Sequence, residues 1–143
     1  MTENINFFFE DVTEPNLDYE KIKVWLSSLI KNNDYKLNEI NYILCSDEYL
    51  LKVNQDYLNH DYYTDIITFD NSEEEGVIES DIFVSIERIE DNAKKLNEDL
   101  KKETTRVLAH GVLHLLGFKD KSEEDAKEMR IQEEKAIELF YTN

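Results

Sequence analysis

Residues 99–120 read DLKKETTRVLAHGVLHLLGFKD, and the fold turns on them. From about Asp99 to Leu116 the pattern is helical, and its second half is apolar on almost every side. A helix of that kind is buried rather than laid on a surface. Gly117 stops the pattern, because glycine accepts the left-handed conformation that ends a helix. The chain can then fold back toward the helix it has just left. A central buried helix needs other elements to bury it, and the flanking sequence supplies them.

Upstream, Ile5, Phe7 and Phe9 alternate as a first strand. Pro15 and Asn16 lead into a helix with an apolar stripe of Ile22, Trp25, Leu26, Leu29 and Ile30. Ile40, Tyr42 and Leu44 alternate as a second strand. Ser46 is placed to N-cap a helix carrying Leu50, Val53 and Tyr57 on one side. Asp65 to Phe69 is a short β-branched run, a third strand, and Ile78 to Ser85 gives a fourth. A helix with Ile86, Ile89, Ala93 and Leu96 follows. After the central helix, Ser122-Glu123-Glu124-Asp125 resembles a capping box. It opens a last helix expected to bury Ala126, Met129, Ala136, Ile137 and Phe140. The pattern predicts an α+β fold: a small sheet of about four strands, with about five helices packed on it.

The chain has 143 residues, which predicts one domain over 1–143. Its 16 basic and 33 acidic residues give a formal net charge of −17. Such acidity repels polyanions, and by itself argues against nucleic acid and against an anionic membrane surface. One cysteine, Cys45, excludes an intrachain disulfide and a thiolate cage for a metal. No apolar run reaches the length of a membrane span and no signal core is visible at the start. A reducing cytoplasm is therefore the expected compartment. Only three glycines occur, Gly76, Gly111 and Gly117, too few for a phosphate-cradling loop or a nucleophile elbow.

The central helix holds two of the three histidines, His110 and His114. Four residues apart, they lie one turn apart on one face, within reach of one metal ion. A turn at Gly117 can bring Asp120 to the same point. His110, His114 and Asp120 then form a two-nitrogen, one-oxygen set with a fourth position open for water, as in catalytic zinc sites. A histidine pair of this spacing also occurs by coincidence inside buried helices, with each ring satisfied by a hydrogen bond. Gly111 costs a helix about 1 kcal/mol against alanine, so some close approach there should offset it. Metzincin proteases share the spacing, but they place a glutamate after the first histidine as general base. Here that residue is Gly111, so a peptidase would lack its base.

Residues His110 to Phe118 closely resemble the signature of the YbeY family of metal-dependent endoribonucleases. Asn54 to Tyr57, Asp61 and Thr64 to Phe69 resemble its second block, and Ser80 to Ser85 its third. The blocks stand in the family's order. The resemblance implies an α+β fold, one zinc ion, a cytoplasmic location, and action on 16S rRNA 3′ ends and defective ribosomes. It implies rRNA, ribosomal particles, ribosomal proteins or an assembly GTPase as partners, and no membrane.

The chain departs from the family at three places. Asp120 stands where the family has a histidine ligand; Leu58 replaces an arginine thought to handle RNA phosphate; Tyr63 replaces a common proline. An anionic third ligand leaves the site less positive than three imidazoles would. Arg106, Lys119 and Lys121 are candidates for the missing phosphate contact, as are Lys94, Lys95, Lys101 and Lys102, although each also reads as a solvated helix end. Asp65 reads as a turn residue or as support for the site, and His60 as a surface residue. The leading expectation is a zinc-dependent endoribonuclease using His114, Asp65 and Arg106. The alternative is a ribosome-assembly factor with a structural zinc. In the nuclease reading, basic residues from the 94–121 stretch gather at the metal's mouth and the carboxylates cover the far side.

Overall fold

The computed structural model describes residues 4–142. Along the chain come β1 (Ile5–Phe9), α1 (Tyr19–Asn32), β2 (Lys36–Cys45), α2 (Asp47–Leu58), β3 (Ile66–Asp70) and β4 (Val77–Ser85), then α3 (Ile86–Leu96), α4 (Leu100–Leu115) and α5 (Glu123–Thr142). The α+β arrangement expected from the sequence is the one observed. The helices start where short polar side chains accept otherwise orphaned backbone N–H groups. Asp18 accepts from Lys21 N, Ser46 from Tyr49 N, Ser85 from Arg88 N, Asp99 from Lys102 N and Ser122 from Asp125 N.

The sheet runs in the order β1-β2-β4-β3, with β1, β2 and β4 parallel and β3 antiparallel to β4. Its register sets Phe7 beside Tyr42 and Tyr42 beside Ile82, so one face presents a continuous apolar row. Ile40, Tyr42, Leu44, Ile82 and Val84 share a core with α1, α4 and α5, while Ile67 on the opposite face packs with Leu50 and Val53 of α2. Both faces are therefore covered by helices, as parallel strands require.

Helix α4 is the central element. Val107, Leu108, Ala109, Val112 and Leu113 are all buried. The fully buried Tyr42 donates its hydroxyl to the Leu108 carbonyl at 2.8 Å, fixing α4 against β2. On the other side, Trp25 Nε1 donates to the Ala136 carbonyl at 2.8 Å and ties α1 to α5. Helix α4 ends as Gly117 predicted. Its φ is +104°, Gly117 N donates to the His114 carbonyl at 3.1 Å, and Phe118 N donates to the Leu113 carbonyl at 3.1 Å. That pair is a Schellman motif, the usual way a left-handed glycine closes a helix.

Three residues expected inside lie outside. Tyr57 is 73% exposed, Leu96 is 56% exposed, and Ala126 is also exposed. Tyr57 and Leu96 fall in the last turns of α2 and α3, and Tyr57 meets the sheet through an edge contact of its ring with Phe69. Ala126 falls in the first turn of α5, before that helix reaches α4. Gly111 is explained by packing. A Cβ there would come 3.0 Å from Ile66 Cδ1 and 3.3 Å from Ile82 Cδ1, so the close approach is of α4 to the sheet, with no ligand needed. Gly111→Val should therefore lower stability by about 2 kcal/mol through overpacking, read as a lower urea midpoint with an unchanged slope. An unchanged midpoint would mean that β3 and β4 give way freely.

Candidate metal centre

His110 and His114 project from one side of α4, with ring centroids 6.4 Å apart and planes 10° from parallel. The fold-back after Gly117 brings Asp120 to His110, where its Oδ2 stands 3.2 Å from Nε2. On the other side of the ring, His110 Nδ1 and Glu133 Oε2 of α5 are hydrogen-bonded at 2.7 Å. His110 thus lies between two carboxylates, one on each ring nitrogen. With Nδ1 donating to Glu133, Nε2 presents a lone pair to an anion, and that contact is favourable only with a cation or a second proton between them.

The donor set fits a metal ion at this point. Two ligands on a tetrahedral zinc at the usual distances stand about 3.3 Å apart, which is close to the spacing of Nε2 and Asp120 Oδ2. A carboxylate on the far ring nitrogen is the standard partner of a ligating histidine, since it fixes tautomer and ring orientation. His114 is exposed and must turn toward this point to complete the set. As the side chains stand, no group of three His, Cys, Asp or Glu among the described residues is arranged to hold a metal.

Glu133 is the residue that sequence reading passed over. Its side chain is 8% exposed, and its Oε1 lies 3.5 Å from Arg106 Nη1. The signal was present: on α5 the buried positions Met129, Ala136, Ile137 and Phe140 form the apolar stripe, and Glu133 sits in it. A glutamate at a core position asks for groups that meet its charge there.

Arg106, expected as a phosphate contact, is committed elsewhere. Its side chain is 9% exposed, with Nη1 2.7 Å from Glu134 Oε1 and Nε 3.4 Å from Glu103 Oε1. It holds carboxylates and presents no free fork. None of the lysines proposed with it lines the His110 cleft. Lys95 pairs with Asp91 and Lys102 with Glu98, while Lys94 lines a hollow at the α3–α4 corner, and Lys119 lines another beside Asp125 and Glu128. His60 is exposed and stacks on Tyr62, a surface residue as expected.

Asp65 does reach the site. It lines the same cleft of about 260 Å³ as His110, Asp120, Arg130 and Glu133. Its backbone carbonyl accepts from Ser85 N at 2.9 Å, and its carboxylate from Asn92 Nδ2 at 3.4 Å. Burial pushes its carboxyl above the ordinary range, against the opposing pull of His110. Burial likewise raises Glu103 despite Arg106. The cleft therefore holds four carboxylates, Asp65, Glu103, Asp120 and Glu133, against two guanidiniums, Arg106 and Arg130, a formal balance of −2 when all are ionised. The expected arrangement, with carboxylates on the far side only, is not what the fold makes.

The His110 imidazole lies above its ordinary value of 6.5. Burial opposes this, but the hydrogen bond and charge of Glu133, with Asp120 and Asp65, outweigh burial.

A family model described as Endoribonuclease YbeY matches residues 8–141. The chain is 51% identical over 140 residues to the Endoribonuclease YbeY of Cytophaga hutchinsonii, covering 97% of this chain and 98% of that one. It is 51% identical over 138 residues to the Endoribonuclease YbeY of Flavobacterium johnsoniae, covering 96% and 97%. In three dimensions it is similar to a Thermotoga maritima protein solved in solution, with a TM-score of 0.70 and 27% identity over 95% of this chain and 89% of that one. The chain belongs to the endoribonuclease YbeY family.

Two outcomes follow from the geometry around His110. Glu133→Gln keeps the shape but loses the anion that orients the ring. Metal affinity, read by competition with a chelator, should fall about 10- to 100-fold while the fold persists; full affinity in this variant would deny Glu133 its role. The second concerns pH in metal-free protein. His110 binds its proton more tightly folded than unfolded, so its contribution is complete below 6.5 and is lost as pH rises through the raised folded value. Unfolding free energy should fall as pH rises above 6.5, and fall less in Glu133→Gln; equal slopes would contradict the assignment.

Proposed function

We propose that this member of an endoribonuclease family, a nuclease hydrolase with RNA as substrate, is a zinc-dependent enzyme that cuts single-stranded RNA at His110, His114 and Asp120. The observation that carries the reading is His110, fixed by Glu133 on one nitrogen and facing Asp120 with the other at 3.2 Å. One zinc ion held by these three residues would polarise a phosphoryl oxygen and acidify a bound water.

The chain's own residues account for the rest. Glu133 keeps the Nε2 lone pair of His110 turned into the cleft, and Arg106 in turn keeps Glu133 in place. Asp65, on the wall of the same cleft, is the acceptor available for the proton of an attacking water. A carboxyl raised by burial is better matched to that task near neutrality than an ordinary one. With Asp120 as an anionic ligand, the balance of −2 around His110 becomes neutral only when a divalent ion is present. RNA phosphate therefore meets an acceptable potential only in the loaded protein. The substrates that the reading assigns are 16S rRNA 3′ ends and rRNA of defective ribosomes, met in the cytoplasm on ribosomal particles. Ribosomal proteins or an assembly GTPase are the partners, and a strongly acidic chain needs them, since its hold on naked RNA is weak and salt-sensitive. No helix among the described residues is long and apolar enough to cross a membrane.

The competing reading, an assembly factor with a structural metal, draws on Leu58, which ends α2 as an exposed apolar residue where a nuclease gains from a cation. His114→Ala separates the two. Cleavage of single-stranded RNA should fall at least 100-fold, with the melting temperature within a few degrees of the parent, because His114 is exposed. Undiminished cleavage would overturn the nuclease assignment. A parent protein that is fully loaded with zinc, never cuts RNA and melts far lower without zinc would favour the structural reading. Chelation should also weaken RNA binding several-fold in fluorescence anisotropy at constant ionic strength; equal affinity with and without zinc would contradict the charge argument.

A further inference from the structure

The chain has three arginines, Arg88, Arg106 and Arg130. Two are held in ion pairs. Arg88 forks onto Asp47, reaches Asp91 and lies over the Tyr63 ring. Arg106 is held by Glu103 and Glu134 in the interior. Arg130 is different. It lines the His110 cleft, its side chain is 57% exposed, and its only ion-pair partner among the described residues is Glu133, at 3.7 Å. That distance is beyond a hydrogen bond. The partner is already occupied, with Oε2 on His110 and Oε1 near Arg106. Arg130 therefore brings to the mouth of the cleft a guanidinium whose donors are not consumed.

Its position follows from α5. Arg130 stands one turn before Glu133, and Glu133 touches His110, so the exposed fork overhangs the same cleft from the α5 side. Asp65 and Asp120 stand on the other walls, and they repel an anion that sits deep in the cleft. An anion bridging the rim and the metal point avoids them. A diester phosphate suits this place: it is planar enough in its two free oxygens to accept two parallel N–H groups, which arginine offers and lysine does not.

Resting on the nuclease reading, we propose that Arg130 is a substrate-binding residue that grips an RNA phosphate at the rim of the His110 cleft. It orients the strand so that the neighbouring diester lies over His110, His114 and Asp120. Arg130 carries charge into a region whose other groups are mostly acidic, so its contribution is large relative to that of any dispersed surface lysine.

The test uses zinc-loaded full-length protein and a fluorescent single-stranded oligoribonucleotide, with binding measured by anisotropy across a salt series and cleavage measured in parallel. Arg130→Gln should weaken binding roughly tenfold, raise KM with kcat little changed, and flatten the slope of log affinity against log salt by about 0.7. Zinc content should equal the parent's. Arg130→Lys should keep the salt slope and lose part of the affinity, since it retains the charge and not the fork. Lys52→Gln, an equal charge loss on the exposed side of α2 across the sheet, should leave the slope unchanged. Parental affinity and slope in Arg130→Gln, with the parent still cutting RNA, would overturn the proposal and leave the nuclease reading standing. So would an affinity loss matched by zinc loss, which would assign Arg130 to the Glu133 network, or an equal slope change in Lys52→Gln. A parent that neither binds nor cuts the oligonucleotide would overturn both.

Discussion

The buried Glu133 carboxylate, shared between His110 of one helix and Arg106 of the same helix one turn earlier, is the constraint on which the site depends. A carboxylate with its side chain 8% exposed is costly unless its charge is met. Here it is met by a guanidinium on one oxygen and an imidazole on the other. Because the three groups come from α4 and α5, the pairing fixes the relative rotation of those helices as well as the tautomer of His110. The Trp25 to Ala136 hydrogen bond pins α5 from its other side, and Tyr42 pins α4 from the sheet. The His110 ring is therefore held by packing two layers deep, while Asp120 and His114 stand at the exposed side of the site.

The same arrangement explains how an acidic protein can work on RNA. Net charge describes solubility and long-range approach, not the potential at one point. What matters near His110 is a small sum: four carboxylates against two arginines, one of them buried in ion pairs. In the zinc-dependent reading a divalent ion would cancel that deficit, and Arg130, already one of the two arginines counted, would set its charge at the rim. On that reading the acidic remainder of the surface would discourage binding elsewhere, and a weak hold on naked RNA would go with a local one at the cleft.

Much of this was legible in the sequence, for identifiable reasons. The strands and helices followed from period-2 and period-3.6 patterns, and Gly117 located the end of α4 because a left-handed turn there admits little else. His110 and Asp120 came together as the fold-back required. What was not legible was tertiary. Arg106 looked free because its partners Glu103, Glu133 and Glu134 include two from α5, and no local pattern says that α5 lies over α4 at that rotation. Gly111 marked a close approach without naming the neighbour, and the neighbours it admits are the methyl ends of Ile66 and Ile82. Glu133 and Arg130 were hidden in a charged helix where half of the residues are acidic or basic. Only burial distinguishes the one, and only the cleft distinguishes the other.

The most direct test of the central claim is a crystal structure of zinc-loaded protein with anomalous data collected on both sides of the zinc absorption edge. The account predicts one strong anomalous peak about 2.0–2.2 Å from His110 Nε2, His114 and Asp120, with His110 Nδ1 still on Glu133. A peak elsewhere, or a loaded protein whose His110 keeps Asp120 as a bare contact with no ion between, would contradict it.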